Sequence, residues 1–302
     1  MSALTDETAG IDAETPFRRL AADFFASKLA AAGLAVFAAI LVVALLAPWI
    51  SPQNPYDLAS LDLMDGRLPP GSASADGLVY WLGTDDQGRD MMSAIFCGLR
   101  TSLGVGALSS IAALLLGGAL GLVAAYVGGR VETLIMRVVD LQLSLPAILV
   151  ALILVALLGH GVLKIILALV VVQWAYYART IRASALVERR KEYIEAARCL
   201  ALSDARIVLH HILPNCLPPV IVVATVQVAH AIALEATLSF LGIGLPITEP
   251  SLGLLIANGF EYMMSGKYWI SFFPGVALLI AIVSINLVGD RLRDVLNPRL
   301  QK

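Results

Sequence analysis

The chain has 302 residues, of which 59% are hydrophobic and 15% charged, and its mean hydropathy is +0.82. This composition is too apolar and too poor in charge for an ordinary soluble domain. Because a helix satisfies its own backbone hydrogen bonds in lipid, long apolar runs predict an all-α protein that crosses a membrane several times.

Six apolar runs approach or reach the roughly 20 residues of helix that a hydrocarbon core requires. They cover residues 29–50, 103–126, 145–158, 162–176, 219–238 and 269–288, of which the third and fourth are short. The first run follows an acidic stretch and lacks the basic region of a cleavable signal peptide. We therefore expect six transmembrane helices, the first of them retained.

The distribution of basic residues predicts the orientation of these spans. With both termini in the cytoplasm, 16 of the 21 Lys and Arg residues fall on the cytoplasmic side. Short cytoplasmic loops of membrane proteins carry such an excess, so the sequence predicts an N-in, C-in topology. Residues 1–28 are then a polar cytoplasmic tail.

A loop at residues 51–102 separates the first two spans and is rich in Pro, Asp and Gly, which favour turns. It contains Gly83-Thr84-Asp85 and Gly88-Arg89-Asp90. We interpret it as a folded outer cap; a docking or gating element for a soluble partner is the alternative. Residues 91–96 predict an amphipathic helix near the outer surface.

Gly117 and Gly121 of the second span have GxxxG spacing, which permits close helix approach and is expected to serve intramolecular packing. The three cysteines have no CxxC spacing and the four histidines are scattered, so we expect neither a disulfide framework nor a metal site. We expect no cofactor either.

The charged loop between the fourth and fifth spans carries the most functional information. Residues 183–200 combine apolar and charged side chains in a pattern that predicts an amphipathic helix. Ser203 and Asp204 form a good N-cap and first-turn pair for a second helix, which Pro214 is expected to end after residue 212. Two helices joined at Ala201-Leu202 form an exposed hairpin that can transmit a push from a cytosolic partner to the adjacent spans.

These residues resemble a known motif. Glu195-Ala196-Ala197, the turn position Ala201 and the ending Leu213-Pro214 resemble the EAA loop of ABC importer permeases. The outer motif at 83–90 and the segments 238–242 and 286–294 are similar to those of the dipeptide, oligopeptide and nickel permeases, specifically their C-type subunit. The resemblance covers residues 28–300.

The resemblance implies a type I ABC importer permease fold, also called MetI-like, with a cytoplasmic coupling helix. It implies an N-terminal helix with the outer loop at 29–98, a permease domain at 99–298 and a short tail at 299–302. The implied ATPase-coupling residues are Glu195, Ala196, Ala197, Ala201, Ser203, Asp204, Leu213 and Pro214. Where the family has a turn glycine this chain has Ala201, and alanine makes such a turn cheaply only with negative φ.

The resemblance also implies partners and a location. The partners are a second homologous permease, two cytosolic ATPases and an extracytoplasmic solute-binding protein in a bacterial inner membrane; no nucleic acid is expected. The sequence contains no GxxxxGK[ST] phosphate loop, so the chain is expected to be a non-catalytic subunit. Energy then comes from a partner, or from an ion gradient in a different class of transporter.

Three polar residues, Gln227, His230 and Glu235, interrupt the fifth span. A charged side chain within a membrane costs roughly 2.5–3.5 kcal/mol on insertion scales, so such residues are candidates for the lining of a pore. The alternative is that contacts between helices satisfy them.

The implied function is import of di- or oligopeptides, and relatives that take glutathione or nickel complexes leave these substrates open. A gradient-driven secondary transporter is a further alternative, although no internal repeat is evident. An intramembrane enzyme requires a paired nucleophile and base or a metal site, and His230 and Glu235 lie about 140° apart on a helix.

Overall fold

The computed structural model describes residues 16–57, 61–74 and 77–296. Its helices are α1 Pro16–Phe25, α2 Lys28–Ile50, α3 Met91–Val127, α4 Gly129–Ser144, α5 Ala147–Leu158, α6 Val162–Glu188, α7 Glu192–Cys199, α8 Asp204–Phe240, α9 Leu252–Phe260 and α10 Trp269–Leu296. Two short strands, β1 Ser72–Ala73 and β2 Val79–Tyr80, pair antiparallel in the outer loop. The all-α prediction is confirmed.

Five helices, α2, α3, α6, α8 and α10, are long and apolar enough to cross a membrane. The third predicted span, residues 145–158, corresponds to α5, which meets α4 at a bend of 94°. Leu145 is extended at the bend because the following Pro146 disfavours the helical region for the residue before it. The 12 residues of α5 reach about 18 Å, less than the roughly 30 Å of the core. The count of six holds when the bent pair is one span.

Helix α3 begins well before the predicted second span. Its 37 residues extend about 55 Å, which exceeds the thickness of the hydrocarbon core. The prediction of a separate surface helix at 91–96 is wrong, because these residues are the first turns of α3. Their apolar side chains, including Met91 and Ile95, are buried against α9 and α10 rather than placed on the membrane surface.

The charged loop divides differently from the prediction. A single helix over 183–200 is wrong, because α6 ends at Glu188 and Lys191 is extended before α7 begins. A helix end at residue 212 is also wrong, since α8 continues through Pro214 to Phe240.

A π-helical segment, Ile207–Ile212, explains how α8 accommodates Pro214. There the N–H of Leu213 bonds to the carbonyl of Val208, five residues back. Pro214 thereby falls in the first turn of the following α-helical segment. A first-turn residue needs no N–H donor, so the missing group of proline is tolerated.

Close helix packing holds α3 against α6. A Cβ atom at Gly117 would lie 2.1 Å from the carbonyl oxygen of Trp174, and one at Gly121 would lie 2.4 Å from that of Ala178. Both glycines therefore let the two backbones touch, and the intramolecular use predicted for the GxxxG spacing is confirmed. Helices α8 and α10 pack beside this pair, and α2 lies against α10.

The predicted N-terminal tail contains structure of its own. Helix α1 packs through Phe24 against Ala30 of α2 and Val295 of α10. Residues 1–15 of this tail and the predicted tail at 299–302 lie outside the described residues.

Candidate coupling hairpin, cavity and outer motif

Helix α7 buries one face and presents the other. Ile194 and Ala197 are fully or almost fully buried against Ile207 and Ile212 of α8. Glu195 and Ala196 are exposed. Of the motif residues, Ala197 therefore anchors the helix while the other two face outward.

The end of α7 is a Schellman cap with alanine at its left-handed position. The N–H of Ala201 bonds to the carbonyl of Arg198 at 2.9 Å, and that of Leu202 bonds to Ala197 at 3.2 Å. Ala201 has a φ of +53°, so the negative φ that would make this turn inexpensive is absent. The same two bonds end α8 around Gly242, whose φ is +75°.

The start of α8 is tied to α3. Ser203 occupies the N-cap position but makes no side-chain capping bond, contrary to the prediction. Asp204 instead accepts a hydrogen bond from the hydroxyl of Tyr126, in the last turn of α3. Arg189 donates to the carbonyl of Ala125 at 2.8 Å, and its guanidinium lies 5.8 Å from the ring centroid of Tyr126. The hairpin is thus fastened to the α3 terminus from both sides.

A second polar contact joins α6, α7 and α8. The hydroxyl of Tyr193 donates to Glu188 Oε2 at 2.5 Å and accepts from Asn215 Nδ2 at 3.2 Å. Lys191 Nζ lies 2.7 Å from the other oxygen of Glu188. Burial and the Glu188 carboxylate raise the pKa of Tyr193 to about 12, so the phenol stays a donor across the physiological range.

Two of the residues predicted to couple to an ATPase, Leu213 and Pro214, lie where the π-helical segment meets the rest of α8. Leu213 is half-buried against the cluster of apolar residues beneath α7, and Pro214 is exposed. Asn215, directly after them, also donates to the carbonyl of His211 at 2.7 Å. This stretch is therefore held to α7 through Tyr193.

A cavity of about 1070 Å³ opens beside the hairpin, between α1, α6, α8 and α10. It shares Glu188 and Asn215 with the contact described above. Its wall contains both apolar and polar side chains. The lining residues include Tyr176, Thr180, Ser184, Val222, Val226, Gln227, Asp290 and Arg293. Such a mixed wall is able to accommodate a hydrated polar solute.

The three polar residues of the fifth predicted span occupy different environments. Gln227 lines the cavity. His230 is half-buried and is not among the residues that line it. Glu235 has no exposed surface and accepts hydrogen bonds from Ser102 and Ser239, both at 2.8 Å. Contacts between helices therefore satisfy Glu235 in this conformation, and a pore role for Gln227 and His230 stays a prediction.

The outer motif forms a tight turn that leads into α3. Asp85 Oδ1 accepts from the backbone N–H groups of Gln87 at 2.8 Å and Arg89 at 2.9 Å. Asp90 then caps α3 by accepting from the N–H of Ser93 at 2.9 Å. Burial raises the pKa of Asp85 from 3.8 to about 6, against the opposing effect of these N–H groups and the Arg89 guanidinium.

Both motif glycines occupy positions where a side chain does not fit. Gly83 and Gly88 have φ values of +80° and +79°. A Cβ atom at Gly88 would lie 2.1 Å from the carbonyl oxygen of Asp62, and one at Gly83 would lie 2.7 Å from that of Leu68. These glycines are therefore requirements of the folded cap.

Further contacts fix the cap on the helices below it. The hydroxyl of Thr84 donates to the carbonyl of Asp65 at 2.6 Å, while the Thr84 carbonyl accepts from Trp269 Nε1 at 3.2 Å. The loop is therefore folded onto the helices, as the cap interpretation expects, while its position on the outer side stays a prediction.

Sequence reasoning missed the residues that fasten the hairpin and the cap. Tyr126, Arg189, Tyr193 and Trp269 join segments that are distant in sequence, and no local pattern identifies such pairs. Arg189 and Tyr193 did lie inside the charged loop that the sequence singled out, whereas Tyr126 and Trp269 stood at predicted span ends, where aromatic residues are common.

Comparisons with known proteins place these features in a family. Residues 117–302 match the family described as binding-protein-dependent transport system inner membrane component. Residues 15–70 match the N-terminal TM domain of oligopeptide transport permease C.

Two relatives illustrate the likeness along most of the chain. A putative peptide transport system permease protein of Brucella suis is 42% identical over 269 residues, which cover 89% of this chain and 87% of that protein. The di/tripeptide transport system permease protein DppC of Pseudomonas aeruginosa is 36% identical over 288 residues, covering 95% and 93%.

A solved structure supports the fold. A chain of the inward-facing MetNI methionine ABC transporter superposes with a TM-score of 0.56 at 20% identity, covering 68% of this chain and 98% of that chain. This likeness confirms the expected MetI-like fold. On the extent of the family match and of the relatives, the chain belongs to the family of binding-protein-dependent transport system inner membrane components.

Proposed function

We propose that this chain forms half of the translocation pathway of an ABC importer for di- or oligopeptides. Two observations support the substrate and the path: the relatives named above are peptide or di/tripeptide permeases, and the cavity has a mixed polar and apolar wall. A second homologous permease supplies the other half of the path. An extracytoplasmic solute-binding protein delivers the peptide.

Coupling to ATP hydrolysis runs through the hairpin of α7 and the start of α8. The observation that carries this proposal is the exposed Glu195 and Ala196 face on a short helix whose other face is buried. Because the hairpin is fastened to α3 by Arg189 and Tyr126, a displacement of α7 also displaces a membrane-spanning helix. Two cytosolic ATPases provide the displacement, and this chain is a non-catalytic subunit.

The orientation follows from the same assignment. The hairpin faces the cytoplasm, which places the outer cap on the opposite side and gives an N-in, C-in topology in the bacterial inner membrane. The 16 basic residues on the hairpin side support this orientation. The N-terminal helix with the outer loop then spans residues 29–98, and the permease domain spans residues 99–298.

Co-purification tests the coupling proposal. The tagged chain is purified in mild detergent from its native membrane, and partners are identified by mass spectrometry for wild type, Glu195→Lys and Glu261→Lys. We expect wild type to bring two ATPases and a second permease, and Glu195→Lys to lose the ATPases while keeping the permease. Glu261 is exposed between α9 and α10, so its reversal of charge is the matched control and retains every partner.

A wild-type chain that is recovered alone and stable would contradict the proposal. Retention of the ATPases by Glu195→Lys would contradict the assignment of the docking face while leaving the importer itself in place.

A further inference from the structure

A segment at residues 241–251, here called the outer strap, joins the end of α8 to the start of α9. Its first residues form the Schellman cap around Gly242, and its last residue, Ser251, caps α9 by accepting from the N–H of Leu254 at 3.2 Å. Both ends of the strap are therefore held by the helices they connect.

The middle of the strap is held from the cap. Arg89 Nη2 donates to the carbonyl of Ile247 at 2.7 Å and to Gln87 Oε1 at 2.8 Å. Ile247, whose carbonyl accepts this bond, lies 158 residues after Arg89 in the sequence. Arg89 thus joins two outer segments that no local structure connects.

The environment of Arg89 suits a residue that holds neighbouring groups in position better than one that only stabilises the fold. The side chain is fully buried, its Nε lies 4.0 Å from Asp85 Oδ2, and its Nη1 has no hydrogen-bond partner in the described part of the chain. A buried, incompletely paired guanidinium is a poor way to stabilise a fold compared with an apolar residue. Its fixed planar fork is well suited to holding two acceptors in a set geometry.

Helix α3 connects this outer contact to the coupling hairpin. The cap is continuous with α3, since Asp90 caps the helix and the N–H of Met91 bonds to the carbonyl of Gly83 at 3.0 Å. At its other end α3 is fastened to the hairpin through Tyr126. No proline interrupts its 37 residues, which form one continuous helix between the two contacts.

We propose that Arg89 is a positioning residue for the outer strap: it makes the strap follow α3, and therefore follow the hairpin. This inference rests on the proposed importer function. The strap changes its position when nucleotide binds to the ATPases, because α3 carries the displacement of the hairpin to Arg89.

Hydrogen exchange of the complete transporter in lipid nanodiscs tests the inference, with and without a non-hydrolysable ATP analogue. We expect nucleotide to change the exchange of strap peptides in wild type. Arg89→Met removes the donor, and Arg89→Lys keeps the charge but not the planar fork. Both variants are expected to exchange faster in the strap without nucleotide and to lose at least half of the nucleotide response, with peptide 61–74 unchanged.

A matched control tests whether the backbone carbonyl of Ile247, rather than its side chain, is what matters. Ile247 is half-exposed, and Ile247→Ala leaves its carbonyl in place, so this variant should behave as wild type. ATP hydrolysis is expected to continue in Arg89→Met while peptide uptake falls about ten-fold, the loss of one well-placed contact of about 1.4 kcal/mol.

Two outcomes would overturn the inference. Strap exchange and uptake that match wild type in Arg89→Met would show that the contact is dispensable. Faster exchange throughout the cap in both Arg89 variants would make Arg89 a residue for folding the cap. Failure of the proposed importer function gives a different result, because the wild-type transporter then shows no ATP-dependent uptake. The contact between Arg89 and the strap is still measured in that case, by comparing strap exchange in wild type and the variants without nucleotide.

Discussion

Ala201 and Gly242 hold the same left-handed position in two Schellman caps of this chain. For an L-residue other than glycine this conformation costs roughly 1–2 kcal/mol, because Cβ crowds the following carbonyl. The hairpin that we assign to coupling therefore carries backbone strain that the end of α8 avoids. The strain lies at the turn where the sequence resemblance leads us to expect a glycine.

Replacement of Ala201 by Gly is expected to stabilise the hairpin. Glycine relieves the left-handed strain but adds chain entropy to the unfolded state, so the net gain is about 0.5–1 kcal/mol. Exchange of the Leu202 amide, which bonds to Ala197, should slow by about two- to five-fold. The control Ala196→Gly lies inside the helix and should accelerate exchange instead. Faster exchange in Ala201→Gly would contradict the strain argument.

Asp85 makes the outer cap sensitive to pH. Its pKa is about 6 in the fold against an ordinary 3.8, because burial disfavours the charged carboxylate. The folded state therefore binds the proton more tightly than the unfolded state. The stability that the proton provides is complete below pH 3.8 and is lost as pH rises through about 6.

We expect the cap to lose up to about 3 kcal/mol of local stability between pH 4 and pH 7, at 1.36 kcal/mol per pKa unit. Amide exchange of peptides 61–74 and 77–90, corrected for the intrinsic effect of pH, measures this loss. Asp85→Asn keeps an oxygen acceptor for the N–H groups of Gln87 and Arg89 and should flatten the profile. A wild-type cap that becomes better protected as pH rises would contradict the assignment.

At the scale of elements, contact between α3 and α6 organises the membrane part of the fold. The two helices meet where Gly117 and Gly121 leave no space for a side chain, whereas a Cβ atom at Gly104 of the same helix would meet no described atom within 4 Å. The glycines of α3 thus have different requirements even though they share one helix. Close packing against α6 sets Gly117 and Gly121 apart from Gly104, whereas all three share the helical backbone conformation.

Gly121→Ala is therefore expected to destabilise the chain by about 1–3 kcal/mol, the usual penalty of overpacking. The backbone oxygen of Ala178 cannot rotate away, so α3 and α6 must separate. Gly104→Ala is the matched control and should be neutral or slightly stabilising. Thermal unfolding of the purified variants in one detergent compares them. Equal midpoints for the two variants would refute the packing argument.

The sequence predicted elements better than it predicted their ends. Apolar runs located the spans because lipid demands them, and the hairpin was recognised from its charges and caps. Pro214 was misread as a helix end because a π-helical segment, which has no sequence signature, places it in a first turn. Residues 91–96 were misread because tertiary packing, not a membrane surface, buries their apolar face.

The site residues show the same difference between what a local sequence pattern reveals and what depends on tertiary contacts. Glu195 and Ala197 were identified from a local motif, and the structure adds which of them faces outward. Glu235 was selected because a carboxylate is costly in lipid, yet Ser102 on another helix satisfies it. Contacts of this kind depend on which helices are neighbours, and a single span carries no information about that.

At the scale of the whole molecule, three features lie in series along α3. The hairpin is fastened to its C-terminal end near Tyr126, the α6 contact supports its middle, and the cap with Arg89 extends its N-terminal end. The cavity lies beside the hairpin, between α6, α8 and α10. This arrangement suits a subunit that converts movement on one side of a membrane into access on the other.

Uptake of a labelled dipeptide by the complete transporter in proteoliposomes tests most directly whether the hairpin couples ATP hydrolysis to import. The chain, its partner permease and ATPases are reconstituted, the solute-binding protein is supplied on the cap side, and ATP is supplied on the hairpin side. We expect uptake to require ATP and the binding protein, and Glu195→Lys to abolish it. Uptake driven by an ion gradient without ATP, and unchanged in Glu195→Lys, would contradict this expectation.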